Sequence, residues 1–182
     1  MNNRDTNNVF TIGHSTRPFD KFLEILKVFH IEMVVDVRAI PRSQHNPQFN
    51  MDFLRVALEA NGIEYVHMTG LGGLRHTTKD SVNTGWKNLS FRGYADYMQT
   101  LVFESSLEQL IIICKKKVTA IMCAEAVPWR CHRLLIGDAL LIRGLKVEDI
   151  MSKKISKPHK LTSWARVDGT NIFYPEDEPK SK

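Results

Sequence analysis

Short apolar runs alternate with amphipathic stretches along the chain. Five of the runs are predicted to form β-strands, because each is brief and rich in aliphatic residues. They are Val9–Ile12, Met33–Val37, Ile63–Met68, Val118–Met122 and Lys146–Ile150. The second and fourth runs lack the alternation of apolar and polar residues, which is typical of strands that are buried on both faces.

Helical patterns lie between these runs. In the first, apolar residues from Phe19 to Phe29 recur at a spacing of three or four and so define one buried face. Proline suits a first helical turn, asparagine suits an N-cap, and Asn61-Gly62 and Gly144 are suitable stops. The predicted helices are one that begins at Pro18, one from Asn50 to Ala60, one long or two short helices within Tyr94–Lys117, and one over Leu134–Ile142.

The regular alternation of strands and helices predicts an α/β fold. We expect an open, mostly parallel five-stranded sheet with helices on both faces, in a Rossmann-like three-layer sandwich. No repeat or linker interrupts the pattern, so residues 1–174 are predicted to form a single domain. The charged segment 175–182 is predicted to be a disordered tail.

Composition limits the classes of protein that the chain can belong to. With 182 residues, 43% of them hydrophobic, the chain can build a core without a disulfide or a metal, and an odd number of three cysteines does not indicate a disulfide framework. The polar start and the short apolar runs predict a cytoplasmic protein with no membrane segment. A net charge of +5 is compatible with an anionic small molecule or a nucleic acid as partner. Composition indicates neither a cofactor nor an oligomeric state.

The residues that follow the strands are the candidates for a functional site, because ligands of open parallel sheets bind beyond the carboxyl ends of the strands. Polar, glycine or thiol residues follow four of the predicted strands. They are Gly13, His14 and Ser15 after the first, Asp36, Arg38, Arg42 and Ser43 after the second, Gly72 and Gly73 after the third, and Cys123, Glu125, Cys131, His132 and Arg133 after the fourth. Tyr94 is expected to line the same cleft.

The first two groups indicate anion binding and proton transfer. The residues around His14 lie between a strand and a helix, where backbone N–H groups can hold an anion and the imidazole can act as acid, base or ligand. Alternatively, Ser15 only caps the helix. Asp36 and Arg38 are two residues apart on an extended segment and therefore share one side, where they either bind substrate or form a structural ion pair.

The fourth group contains the candidate nucleophiles. Cys131 opens a helix beside Arg133, a setting that lowers the pKa of a thiol, and Cys123 ends a buried strand. Two alternatives stay open. Both cysteines could be small buried residues, or they could hold a metal with His132 or His14, although their spacing is not that of a standard zinc site. We therefore assign no metal ligand. The Gly72-Gly73 pair either approaches a ligand or forms a plain turn.

Taken together, these segments resemble the DUF488 family, a domain of unknown function. The matching motifs are Thr11–Ser15, Asp36–Arg38 with Pro41 and Ser43, Asn46–Asn50, Leu71–Gly73, Phe91–Ala95, Met122–Glu125 and Cys131–Arg133. The resemblance implies a cytoplasmic, prokaryotic-type α/β protein of unassigned activity. The family commonly ends its last strand with His-Ile, whereas this chain has Asp149-Ile150, so no catalytic role of that histidine is carried over.

Three functions are compatible with the sequence. The first is an enzyme, a transferase or hydrolase, that acts on a nucleotide, a nucleic acid or another anionic substrate. In it, arginines bind the anion, a cysteine is the nucleophile or redox centre, and Glu125, Asp36 and His14 transfer protons. The second is a non-catalytic module that binds nucleic acid or an anionic ligand. The third is a metal-dependent hydrolase that uses the cysteine and histidine cluster.

Overall fold

The computed structural model describes residues 8–176. Most of the predicted tail, residues 177–182, therefore lies outside the described residues, as do residues 1–7 of the predicted domain. Of the two tail residues that are described, Glu176 pairs with Lys87 across 2.6 Å at the surface. Within residues 8–176, none of the helices is long and apolar enough to cross a membrane.

The structure confirms the α/β prediction but contains more strands than the sequence indicated. The strands are Asn8–Gly13 (β1), Met33–Asp36 (β2), Glu64–His67 (β3), Thr119–Cys123 (β4), Lys146–Ser152 (β5), Ile155–Pro158 (β6), Arg166–Asp168 (β7) and Asn171–Phe173 (β8). The main sheet has six strands in the order β3-β2-β4-β1-β5-β6, while β7 and β8 form a separate antiparallel hairpin. The five predicted strands are its parallel part.

The sixth strand, β6, corrects the predicted count of five. It lies antiparallel to β5 at the edge of the sheet, and its residues are mostly exposed. Its sequence has no alternation of apolar and polar residues, which agrees with the absence of a fully buried residue in this strand. Lys157 and Pro158 suit an edge strand, where a charge and a missing N–H donor discourage pairing with another chain.

Helices cover both faces of the sheet and give the three layers that the sequence predicted. They are Phe19–Val28 (α1), Met51–Glu59 (α2), Leu89–Tyr97 (α3), Leu101–Cys114 (α4) and Arg133–Leu141 (α5). One core cluster joins α1 and α2 to Val34 and Ala120 of the sheet, and the other joins α3, α4 and α5 to Val35 and Ile121. Consecutive strand residues thus face opposite cores, so β2 and β4 are buried throughout most of their length.

A buried histidine attaches the last part of the chain to the sheet. His159 Nε2 lies 3.0 Å from an oxygen of Asp138 on α5, and its Nδ1 lies 3.0 Å from an oxygen of Asp149 on β5. The Tyr174 hydroxyl donates to Asp138 across 3.0 Å, and Thr11 of β1 donates to Asp149 across 2.6 Å. Burial disfavours a charged imidazole, but the two carboxylates outweigh it and raise the pKa of His159 to about 9.

The raised pKa of His159 predicts a loss of stability in alkali. The native state binds the proton more tightly than the unfolded chain, whose histidines have a pKa near 6.5. The stabilisation is therefore complete below pH 6.5 and disappears as the pH rises through about 9, a loss on the order of 3 kcal/mol in the free energy of unfolding. Urea unfolding from pH 6 to 10 measures it. His159→Gln should flatten this profile, and an unchanged slope in that variant would contradict the assignment.

Candidate functional site

The ends of β1 and β4 come together beyond the regular strands. His14 N–H donates to the carbonyl of Cys123 and Ser15 N–H to that of Ala124, both across 2.9 Å. This brings Gly13 so close to the next loop that a Cβ there would lie 1.8 Å from the Glu125 carbonyl oxygen. Gly13 is thus required by close packing. The two amides already have acceptors, and α1 begins only at Phe19, so the anion-binding helix terminus expected at this turn is not formed by His14 and Ser15.

His14 is held as a neutral ring. Its Nδ1 lies 2.7 Å from the Ser15 carbonyl, which can only accept, so Nδ1 carries the proton. Its Nε2 lies 3.3 Å from Nη1 of Arg38, which can only donate, and the ring stacks on Phe49 at 4.1 Å. Burial, with a contribution from Arg38, lowers the pKa of His14 to about 4. At neutral pH the Nε2 atom of the neutral ring accepts a hydrogen bond from Arg38. His14 is therefore not an imidazolium and cannot act as a general acid in that form.

Asp36 and Arg38 form the predicted ion pair. Asp36 is 0% exposed and accepts from Arg38 Nε at 2.9 Å and Nη2 at 2.6 Å, while the Tyr65 hydroxyl donates to it across 2.6 Å. Arg38 Nη2 also donates to the Phe49 carbonyl across 2.8 Å. The carboxylate is thus enclosed by its partners, which makes Asp36 a group that positions Arg38.

A cavity of about 380 Å³ opens beside Arg38, and we call it the arginine cavity. Its polar lining residues are His14, Ser15, Thr16, Arg38, Arg42, Ser43, Asn46 and Glu125. Arg42 is exposed and has no hydrogen bond or ion pair to any residue in 8–176. Asp36 already balances the charge of Arg38, so Arg42 supplies the guanidinium that is available to an anionic ligand in this cavity.

Cys131 lies between the short 3-10 turn Pro128–Arg130 and α5, at the place that the sequence predicted. It is 5% exposed, and its Sγ accepts from Arg133 Nε across 3.4 Å. Nδ1 of His132 lies 3.7 Å from the same sulfur, while Nε2 of His132 donates to the Val37 carbonyl across 2.9 Å. The Val37 carbonyl therefore fixes the tautomer that turns a bare Nδ1 towards the thiol, an arrangement in which the imidazole can take the thiol proton.

The two cysteines divide their protons unequally. A hydrogen bond from the Cys123 thiol, with further contributions from His132 and the Arg133 guanidinium, holds the pKa of Cys131 well below its ordinary value. The same hydrogen bond, with burial, raises the pKa of Cys123 far above its own. The shared hydrogen bond therefore favours the proton on Cys123 and negative charge on Cys131. Cys114 packs in the core on α4, where burial raises its pKa to about 12.

Both thiols line a second cavity of about 320 Å³, which we call the thiol cavity. Its lining residues are Gly73, Leu74, Ser90, Phe91, Tyr94, Cys123, Ala124, Glu125, Arg130, Cys131 and His132. Ala124 and Glu125 also line the arginine cavity. The predicted residues therefore surround two adjacent cavities, with Ala124 and Glu125 as a shared wall.

Two of the predicted ligand-binding residues, Arg133 and Tyr94, direct their hydrogen bonds to other groups of the protein. Arg133 is 1% exposed and donates to Cys131, to the Thr11 hydroxyl at 3.3 Å and to the Glu125 carbonyl, so its guanidinium is enclosed by protein. Tyr94 donates to the Leu71 carbonyl across 2.8 Å.

The glycine pair also packs inside the protein. A Cβ at Gly73 would lie 3.1 Å from the His132 ring, and one at Gly72 would lie 3.2 Å from the backbone of Ala39. These two glycines permit close packing, with no sign of an anion-binding turn.

One contributor was missed by the sequence analysis, namely Tyr65, which completes the shell of Asp36. Arg130, the residue before Cys131, lines the thiol cavity and supplies a positive charge there. Tyr65 pairs with Val34 across β2 and β3, and Val34 precedes Asp36 by two residues. The period of two along a strand therefore places Tyr65 and Asp36 on one face, a signal that strand register would have given.

The thiol cluster is also the candidate metal site. One ligand atom from each of Cys123, Cys131 and His132 lies within 4.8 Å of the other two. Three such donors resemble the open sets that bind catalytic zinc, and the contact of His132 with a carbonyl suits a metal ligand. The guanidinium of Arg133 beside Cys131 works against a cation at the same point.

Comparison with known proteins agrees with the motifs. The family model for the domain of unknown function DUF488 matches residues 18–140, more than half of the chain, including Cys123, Cys131 and His132. The chain is a member of the DUF488 family. The match leaves out Thr11–Ser15 and Asp149-Ile150, and the family description assigns no activity. No curated protein and no solved structure matches this DUF488 chain significantly.

The buried pair of Asp36 and Arg38 predicts a large effect of one substitution. Asp36→Asn removes the charge that compensates Arg38, and breaking a buried ion pair costs about 3–5 kcal/mol of the free energy of unfolding. Tyr65→Phe removes one hydrogen bond to the same carboxylate and should cost only about 1 kcal/mol. Equilibrium unfolding in urea compares the two. Equal losses in both variants would show that Arg38 does not depend on the charge.

Proposed function

We propose that this DUF488 protein is an enzyme in which the Cys131 thiolate attacks an electrophilic centre of an anionic substrate. The observation that carries the proposal is the alignment of Cys131 Sγ, His132 Nδ1 and the Val37 carbonyl. A nucleophile, a base and a group that orients the base form the arrangement used by cysteine-dependent enzymes. The thiol cavity gives a small substrate access to the sulfur.

The remaining residues take roles that follow from their contacts. Arg38 and Arg42 bind the anionic part of the substrate in the arginine cavity, and Asp36 and His14 hold Arg38 in place. Glu125 is exposed to both cavities and is the group best placed for proton transfer to or from a bound substrate.

The two alternatives keep one supporting observation each. The arginine cavity alone would serve a non-catalytic module that binds an anion. The donor set of Cys123, Cys131 and His132 would serve a metal-dependent enzyme. The enzyme with a thiolate nucleophile is favoured because Arg133 lies against Cys131 Sγ, where it stabilises an anionic sulfur and opposes a cation.

Cys131 is predicted to be the most reactive thiol of the protein. Because the pKa of Cys131 is lowered while the pKa values of Cys114 and Cys123 are raised, iodoacetamide should alkylate Cys131 at least ~10-fold faster than either at pH 7. Peptide mass spectrometry of a time course measures the three rates. Cys131→Ser should keep the fold, as judged by circular dichroism, and lose the fast phase. Slow labelling of Cys131 in the native protein would overturn the nucleophile.

Two matched comparisons make this test specific. His132→Asn should raise the thiol pKa in the pH profile of alkylation, whereas His30→Asn, a histidine substitution beyond the C-terminal end of α1, should leave the profile unchanged. Labelling with and without a chelator separates the metal alternative. A bound metal would protect Cys131 until the chelator is added, and that result would favour the metal-dependent enzyme.

The arginine cavity is predicted to bind a simple oxyanion. Inorganic sulfate should raise the melting temperature above the value in sodium chloride of equal ionic strength. Arg42→Ala removes a free guanidinium and should weaken the apparent Kd about 10-fold, because a hydrogen bond to a charged group contributes about 1.5 kcal/mol or more. Arg55→Ala, an exposed arginine on α2 outside the cavity, is the control. Equal weakening by both variants would mean non-specific screening.

A further inference from the structure

We propose that Cys123 and Cys131 together form a dithiol redox centre whose substrate is a small anionic disulfide. This inference rests on the proposed nucleophilic role of Cys131 and narrows it to one class of substrate. It gives Cys123 a chemical step of its own. In this step Cys123 attacks Cys131 after Cys131 has formed a mixed disulfide with the substrate.

The two sulfur atoms are near enough to bond. They lie within 4.8 Å of each other, and a disulfide needs an S–S distance of about 2.05 Å. The closing movement is below about 3 Å, which is the displacement that a rotation about χ1 gives a sulfur. Cys123 ends β4 and Cys131 precedes α5, so the rotation alters neither element internally. Both cysteines line the thiol cavity, and a substrate bound to one is in reach of the other.

The contacts of the two sulfurs suit an ordered exchange. Cys131 attacks first, because Arg133 Nε donates to its sulfur across 3.4 Å and Nδ1 of His132 lies 3.7 Å from it. Once Cys131 is in a mixed disulfide, its sulfur carries no charge, and a thiolate on Cys123 no longer meets a like charge beside it. The bare Nδ1 of His132 in the same cluster can then accept the Cys123 proton. Cys123 therefore becomes a thiolate only after the mixed disulfide has formed, which is when its attack is required.

The exchange balances in atoms and electrons. The Cys131 thiolate bonds to one sulfur of the substrate disulfide, whose S–S bond breaks and releases the other half as a thiolate. Cys123 loses its proton and bonds to Cys131 Sγ, which releases the second half as a thiolate. The dithiol is oxidised by two electrons, and the substrate disulfide is reduced to two thiols. His132 passes the Cys123 proton to one of the two released thiolates.

The charges around the thiols favour a substrate with carboxylates. Arg130 lines the thiol cavity, and Arg38 and Arg42 line the arginine cavity on the other side of the shared wall. A disulfide of small acidic thiols places carboxylates on either side of its sulfurs. Oxidised glutathione has this chemistry and is a suitable probe.

The experiment treats the full chain with oxidised glutathione at pH 7, quenches with acid and identifies the products by mass spectrometry. The wild type should accumulate a Cys123–Cys131 disulfide and leave Cys114 free. Cys123→Ala should stop at a glutathione adduct on Cys131, and this adduct should change from a minor to the major species. Cys123→Ser should behave in the same way if the alanine variant fails to fold. Cys114→Ala is the control and should match the wild type.

The outcomes separate this inference from the proposal on which it rests. If Cys131 is alkylated rapidly but the wild type keeps the glutathione adduct as Cys123→Ala does, the dithiol centre is overturned and the nucleophile stands. If neither iodoacetamide nor oxidised glutathione modifies Cys131, both fall. An internal disulfide that forms equally fast in Arg130→Ala would overturn the anionic class of substrate.

Discussion

The buried guanidinium of Arg133 is the interaction on which the site depends. It touches three different parts of the chain, namely the sulfur of Cys131, the carbonyl of Glu125 and the hydroxyl of Thr11. Of these three groups only the sulfur can become an anion. Arg133 is therefore the partner best placed to stabilise negative charge on Cys131, while the two oxygen acceptors keep its guanidinium hydrogen-bonded inside the protein.

The same arginine connects the site to the remainder of the fold. Thr11 donates onward to Asp149, which contacts His159, and His159 contacts Asp138. The residues of this series are buried. The Cys131 thiol is thus connected through Arg133 to a series of hydrogen bonds that runs through β1 and β5 to Asp138 on α5. The C-terminal segment that carries His159 is for this reason part of the support of the site.

Much of the fold was predictable because local patterns and tertiary packing agree. The five parallel strands are buried and apolar, so the pattern identifies them to within one or two residues at each end. The predicted elements are missing or have the wrong bounds where a strand is exposed, or where a side-chain cap determines the residue at which a helix begins. β6 is an exposed edge without a pattern, and α3 begins at Leu89 because the Asn88 side chain accepts from the amide of Ser90. Thr100 caps α4 in the same way and separates it from α3.

The sequence predicts which residues lie at the site better than it predicts what each of them does there. The rule that ligands bind beyond strand ends brought His14, Asp36, Cys123 and Cys131 to the same end of the sheet. It does not say which way a side chain is turned. The enclosure of Asp36 by Tyr65 and the turn of the His132 ring towards Cys131 depend on contacts between distant segments. Such contacts are decided by packing, which a single sequence does not reveal.

The wall between the two cavities has a consequence for how ligands influence each other. Ala124 and Glu125 line both cavities, and their backbone is fixed by Ser15 on one side and Arg133 on the other. A ligand that displaced this segment would reshape the neighbouring cavity, so binding in one cavity would change the free energy of binding in the other. Linkage is reciprocal, and whatever factor an anion imposes on the thiol cavity, an occupant of the thiol cavity returns to the anion. Ala124 and Glu125 thus separate the two cavities and would also carry the coupling between ligands bound in them.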